Sequence, residues 1–219
     1  MGAFSRHFAR LLLPVLLGSA TVAWADSIYW TNSAGGLYSE PSNWSPNGIP
    51  APSDSVSFTN VSSYAFTVDA GVTNSAAFFH QGSVTQAISA GVWRLANEWR
   101  VGESAGITSR VTSVSGSVLV TNEAGTGVSS VGRNGTGELA IRGGNIVTDF
   151  LQATNGNRSL LTLAHGSLTT LHGVIVSNGT LVVGMVTNAP FVWNITGGNN
   201  QIQNDGFSGY GGLTLGVLS

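Results

Sequence analysis

The chain has 219 residues, of which 42% are hydrophobic and only 8% are charged, and its formal net charge is −2. All eight basic residues are arginines, and the slightly acidic balance argues against nucleic acid as a partner. Because the chain has no cysteine, disulfides and thiolate metal sites are excluded. A chain of this composition relies on hydrogen-bonded ladders and apolar packing for its stability.

The first 25 residues have the three-part pattern of a secretory signal peptide. Arg6 and Arg10 precede the apolar stretch 11–22, and residues 23–25 read Ala-Trp-Ala, a typical cleavage site. Pro14 interrupts the apolar stretch, which disfavours a permanent membrane anchor. The pattern therefore predicts export, with this segment removed from the mature chain.

Residues 26–98 are predicted to form an N-terminal cap and the first irregular coils of a repeat domain. Trp30, Tyr38 and Trp44 lie among prolines and turn-forming residues. A repeat domain needs a cap because its first coil would otherwise expose an apolar interior and an unpaired strand edge. The alternative is that these three aromatic side chains form a glycan-binding platform. The stretch 93–99 is interpreted as a strand rather than a helical turn.

Residues 99–219 repeat one short sequence motif. In this motif an apolar residue begins a stretch of alternating residues, and the stretch ends at a glycine. A period of roughly 20 to 30 residues with alternation inside each unit is typical of a β-solenoid. The glycines predicted to turn the chain at its corners are Gly116, Gly144, Gly166 and Gly198. The apolar residues are predicted to stack in two inward columns, one of Ile141, Leu163 and Ile195 and one of Val118, Ile146 and Leu168, from which Asn200 departs. The predicted fold is all-β: a right-handed parallel β-helix (β-solenoid) with an N-terminal aromatic- and proline-rich β cap.

Three stretches carry a resemblance to a known family. Ser42-Asn43-Trp44, followed by Pro50-x3-Asp54-x-Val56-x-Phe58, resembles the opening module of large secreted bacterial passenger proteins. The unit 131–144 resembles their β-helical repeats, and 195–215 is similar to the entry of autotransporter-associated β-strand repeats. The chain thus resembles autotransporter-like and PEP-CTERM-type passenger proteins. This resemblance implies a β-helical architecture and a place outside the cell or on the outer membrane of a bacterium, and it implies no activity.

The repeats continue to the last residue, without a barrel translocator or a sorting tail. We therefore expect the chain to be either the N-terminal part of a longer passenger or a short relative, attached to a membrane only through a C-terminal anchor outside this sequence. The stretch 213–218 is apolar, and no charge or proline follows Asp205. We expect this terminal coil to self-associate or fray, unless the final segment folds back over it as a cap.

Candidate catalytic and metal-ligating residues are sparse. The carboxylates, among them Glu98, Glu103 and Glu138, stand singly in the sequence, whereas a glycoside hydrolase needs two carboxylates about 5 to 10 Å apart. His165 and His172 have no third ligand near them, so they are interpreted as turn or surface residues rather than as a metal site. No catalytic residue, metal or cofactor is predicted.

These observations predict a non-enzymatic exported β-solenoid, the N-terminal part of a cell-surface or secreted adhesin-like scaffold. Its expected partners are surface glycans, or further copies of the chain that meet through the C-terminal coil. Two alternatives remain open: a carbohydrate-active β-helix enzyme, either a polysaccharide lyase or a hydrolase, and a glycan-binding module.

Overall fold

The computed structural model describes residues 26–153, 159–183 and 191–208, and it consists of strands joined by tight turns. In chain order the strands are β1 (Ser27–Trp30), β2 (Gly36–Leu37), β3 (Trp44–Ser45), β4 (Ser55–Phe58), β5 (Ser63–Val68), β6 (Val72–Phe79), β7 (Gly82–Ile88), β8 (Val92–Val101), β9 (Thr108–Ser113), β10 (Ser117–Val120), β11 (Val128–Val131), β12 (Thr136–Ile141), β13 (Asn145–Ala153), β14 (Ser159–Leu163), β15 (Gly166–Val183), β16 (Phe191–Ile195) and β17 (Asn199–Ser208). A single turn of 3-10 helix, Pro41–Asn43, precedes β3. In the described ranges, no helix is long and apolar enough to cross a membrane.

The strands pair in parallel with those of the next coil, and the chain winds into a β-solenoid of about six turns. The pairings define three faces. Face A contains the first parts of β6, β8, β13 and β15 together with β10 and β16. Face B contains β1, β4, β11, the last parts of β6, β8 and β13, the middle of β15 and the start of β17. Face C contains β2, β5, β7, β9, β12, β14 and the ends of β15 and β17. The predicted parallel β-helix is confirmed.

The parallel strand pairing of the solenoid begins well before residue 99. Ser27 of β1 pairs with Ser55 of β4, Ser55 pairs with Ala76 of β6, and Ala76 pairs with Glu98 of β8. Within 26–98, β1 and the strands from β4 onwards therefore belong to the same solenoid as the repeats. The stretch 93–99 lies within β8, which agrees with its interpretation as a strand.

Alternating side chains fill the interior, as the period of two in a strand requires. One column follows the prediction: Val118 pairs with Ile146 and Ile146 with Leu168, and all three are almost completely buried. The column also includes Trp93 before Val118 and Trp193 after Leu168.

The other predicted column is right for Ile141 and Leu163 and wrong for Ile195. Ile141 and Leu163 are register partners on face C and are fully buried. Ile195 instead pairs with Thr170 on face A, and Asn200 pairs with Val174 on face B. The physical reason is that an alternating strand followed by a glycine turn can occupy more than one corner of the coil. The repeated motif therefore does not specify the face on which its strand lies.

The corner glycines explain how the coils approach each other so closely. Gly116, Gly144 and Gly166 all have positive φ, at 75°, 78° and 104°, and each is followed by a face A segment. A Cβ on Gly144 would overlap the carbonyl oxygen of Gly116, and one on Gly166 would overlap that of Gly144. Gly198 also has a positive φ, of 81°, but it precedes a face B segment and so does not belong to this stack.

The N-terminal cap is a strand that runs against the others. β3 pairs antiparallel with β1, placing Trp44 beside Trp30, while the other edge of β1 pairs in parallel with β4. This antiparallel strand covers the free edge of the first coil, as the predicted cap requires. Two predictions, the signal peptide at 1–25 and the exposed coil at 213–218, concern residues outside the described ranges.

Candidate functional site

The predicted glycan platform is wrong, because its three aromatic side chains lie inside the solenoid. Trp30, Trp44 and Tyr38 are 1%, 2% and 0% exposed. The Trp44 ring lies edge-on to both others, with centroids 4.9 Å from Trp30 and 4.8 Å from Tyr38. Their polar groups are also occupied: Trp44 Nε1 donates to the Tyr38 carbonyl at 2.8 Å, and Trp30 Nε1 donates to the Asn32 carbonyl at 2.6 Å. No ring face is left for a sugar.

A buried amide connects this cap to the following coils. Asn74 is 0% exposed, and its Oδ1 accepts hydrogen bonds from Tyr38 Oη at 2.7 Å and from Trp93 Nε1 at 2.9 Å. Burial raises the pKa of the Tyr38 phenol far above its usual range, although the hydrogen bond to Asn74 opposes that effect. A neutral phenol locked in the core has a structural role, so we do not assign Tyr38 to any chemistry.

The structure brings together acidic residues that stand apart in the sequence. Glu98 and Glu103 both bind Arg100: Glu98 directly on the same strand, and Glu103 at 3.1 Å from the corner loop that follows it. Arg133, from the next coil, lies 3.1 Å from Glu98, and the Arg100 guanidinium lies over the Phe78 ring at 5.0 Å. The interpretation of these acids as isolated is therefore wrong for Glu98 and Glu103. Sequence spacing did not reveal the cluster because the corner loop folds Glu103 back onto the strand.

A histidine and a serine lie beside this cluster. His80 Nδ1 is 3.2 Å from Ser104 Oγ, and burial lowers the pKa of His80, while Glu103 acts in the opposite direction. Arg100 contacts both carboxylates and Arg133 contacts Glu98, so two guanidinium groups balance the two acidic charges. This arrangement ties the corner loop 102–107 to face B, and it is better suited to holding two coils together than to proton transfer.

A buried carboxylate organises the corner loop 121–127 between β10 and β11. Asp149 is 1% exposed, and its Oδ2 accepts hydrogen bonds from the amides of Asn122 and Gly127, at 3.2 Å and 2.8 Å. His172 Nδ1 lies 3.3 Å from Asp149 Oδ1. His165 is exposed at a corner and bonds through its backbone to Ile141, so the two histidines play different parts. Within the described ranges, no group of three His, Cys, Asp or Glu residues could hold a metal ion.

A shallow pocket of about 290 Å³ lies where face C meets the corner loops of three coils. Its residues are Val61, Ser63, Gln81, Gly82, Ser83, Ile107, Thr108 and Arg110. Arg110 is joined to Glu138 of the next coil by two hydrogen bonds, from Nε at 2.6 Å and from Nη2 at 3.0 Å. No motif in the sequence marks this pocket, because its residues come from three separate coils.

No family model matches the chain, and comparisons with curated proteins and with solved structures returned no match.

Proposed function

We propose that this protein is a non-enzymatic, exported β-solenoid that serves as a cell-surface or secreted adhesin-like scaffold in a bacterium, as the N-terminal part of a passenger. The observation that carries the proposal is that charged side chains form ion pairs between successive coils. Arg110 binds Glu138 across one coil boundary on face C, and Arg133 binds Glu98 across another on face B. Charges that link successive coils support a role in maintaining an extended shape.

The three-part pattern of the first 25 residues supports export of such a scaffold. To test export, the full chain with a C-terminal epitope is expressed in a Gram-negative host, and the mass of the product is measured in each fraction. We expect residues 1–25 to be removed, so that the chain begins at Asp26. Ala25→Arg provides the control, because a large charged residue at the cleavage position should leave the precursor intact. A cytoplasmic product that retains Met1 would contradict export.

The main competing function is a carbohydrate-active enzyme, and the convergence of Glu98 and Glu103 is the observation that favours it. The purified protein is incubated with acidic and neutral polysaccharides, with and without Ca²⁺, and the release of reducing or unsaturated ends is followed. We expect no release above the level of the buffer control, because both carboxylates are held in ion pairs, Glu98 with Arg100 and Arg133 and Glu103 with Arg100. Turnover that disappears in Glu103→Gln would overturn the scaffold proposal and identify the cluster as catalytic.

A further inference from the structure

We propose that the shallow pocket on face C binds a neutral saccharide. The inference does not depend on export or on the scaffold role. The pocket differs from the buried aromatic cluster in being open to solvent and in combining hydroxyl, amide, charged and aliphatic groups. At about 290 Å³, it lies near the lower end of the volumes typical of small-ligand sites, which suits one or two sugar units.

The polar side of the pocket is a ladder with one group from each coil. Ser63 pairs in register with Ser83, and Ser83 pairs with Arg110, so these outward side chains follow one another at the strand spacing of about 4.8 Å. Arg110 in turn pairs with Glu138. A ligand lying along the solenoid axis meets a hydroxyl, a second hydroxyl, a guanidinium and a carboxylate in succession. A carbohydrate, which offers hydroxyls at short intervals that donate and accept, matches this order.

The electrostatics favour a ligand without net charge. The guanidinium of Arg110 and the carboxylate of Glu138 are held together by two hydrogen bonds, so the pair is neutral overall. It still offers both donors and acceptors, because a carboxylate has about four lone-pair sites and the guanidinium has five N–H groups. Because Glu138 cancels the charge of Arg110, the pair gives no net attraction to an anion or to a cation. A neutral ligand therefore loses nothing by lacking a charge.

Aliphatic side chains form the apolar part of the pocket. Val61 is 78% exposed and Ile107 is 40% exposed, and they come from the corner loops of different coils. Their exposure leaves apolar surface without a partner among the described residues. The C–H face of a sugar ring would cover that surface while its hydroxyls reach the polar ladder.

The surface next to the pocket leaves room for a longer chain. Thr85, Thr112 and Ala140 are register neighbours that point outward on successive strands of face C. All three side chains are small, so face C is flat beside the ladder. An oligosaccharide bound in the pocket can therefore extend over several coils without a clash.

The test is a binding titration followed by ligand-observed NMR. The probes are neutral tetrasaccharides built from glucose, galactose, mannose or N-acetylglucosamine, with tetragalacturonate as the acidic comparison. We expect at least one neutral probe to bind the wild-type protein at millimolar or lower concentration, and the acidic probe to bind more weakly. Ser83→Phe fills the pocket and should weaken binding by about tenfold or more. Thr73→Phe places the same ring at an outward position of face A, away from the pocket and from the surface next to it, and should change affinity by less than about twofold.

Ile107→Ala provides a second variant, because Ile107 is exposed and its truncation leaves the ladder intact. We expect binding to fall severalfold with an unchanged circular dichroism spectrum. The proposal is overturned if no neutral probe binds, if the acidic probe binds best, or if Ser83→Phe and Ile107→Ala both bind like the wild type.

Discussion

The stacked corner glycines yield the sharpest prediction about stability. Gly144→Ala introduces two separate penalties. The first is conformational: an L-residue at a φ of 78° pays about 1–2 kcal/mol, partly offset by about 0.4–1 kcal/mol from the less flexible unfolded chain. The second is steric, because the new Cβ would overlap the carbonyl oxygen of Gly116 in the coil beneath. Both coils are held in a hydrogen-bonded ladder, so relief of this overlap requires a backbone shift costing a further ~1–3 kcal/mol.

Two other glycines separate these penalties. Gly106 has nearly the same φ, 73°, with nothing within 4 Å of an added Cβ, and Gly48 has open space and no positive φ. Gly106→Ala should therefore cost only the conformational part, about 0.5–1 kcal/mol. Gly48→Ala should be neutral or slightly stabilising. The total for Gly144→Ala is about 2–4 kcal/mol, which corresponds to a fall in melting temperature of roughly 5 to 15 °C for a chain of this size.

The measurement is thermal and urea unfolding of the three variants and the parent, followed by circular dichroism. We expect the order Gly48→Ala, Gly106→Ala, Gly144→Ala from most to least stable. If Gly144→Ala and Gly106→Ala lose the same stability, close stacking of the coil corners does not explain the glycine at position 144.

Three further predictions concern the core and its charges. Ile141→Asp buries an unpaired charge at a cost of several kcal/mol and should abolish cooperative melting, while Ala140→Asp, outward on the same strand, should melt close to the parent; equal melting of the two variants would show that the inward register is wrong. Asp149→Ala removes the acceptor for two loop amides, at a cost of about 1–3 kcal/mol; hydrogen exchange should accelerate in residues 121–127, and unchanged exchange would contradict this role. Burial raises the pKa of Tyr38 and of Tyr64 above the usual range, so the stability held by their neutral forms is complete below the ordinary tyrosine pKa and is lost as the pH rises above it. In an alkaline absorbance titration these two phenols should ionise only as the circular dichroism signal is lost, and early ionisation with an intact fold would refute this.

The solenoid itself could be predicted from the sequence because its two signals are local. Alternation places Val118, Ile146 and Leu168 inward whatever the neighbouring coils do, and a glycine ends each alternating stretch. The face on which each copy of the motif lies is not determined locally, because it depends on how many residues each earlier corner contains. Ile195 was assigned to the wrong column for that reason, and it lies beside Thr170 rather than Leu163.

The candidate sites could not be predicted, because they depend on where corner loops fold. Exposure of Trp44 and Tyr38 would suit a sugar platform, but both rings are buried at the end of the core. Trp44 lies in the antiparallel strand β3, and the Tyr38 amide donates to the Thr67 carbonyl of β5. The contact of Glu103 with Arg100 requires the loop that follows β8 to turn back. Neither event leaves a periodic mark in the sequence.

The aromatic filling of the first coils also gives the chain a direction of assembly. The ring of Phe58 stacks on that of Phe79 at 4.4 Å and on that of Phe66 at 4.7 Å, whereas later coils are filled by valine, leucine and isoleucine. A solenoid can nucleate at any coil, and nucleation is favoured where a coil buries the most apolar area. A chain made from its N-terminus completes these aromatic coils first. Each later coil then adds to the preformed edge of the coil just before it, so the order of synthesis is also the order in which folding is most favourable.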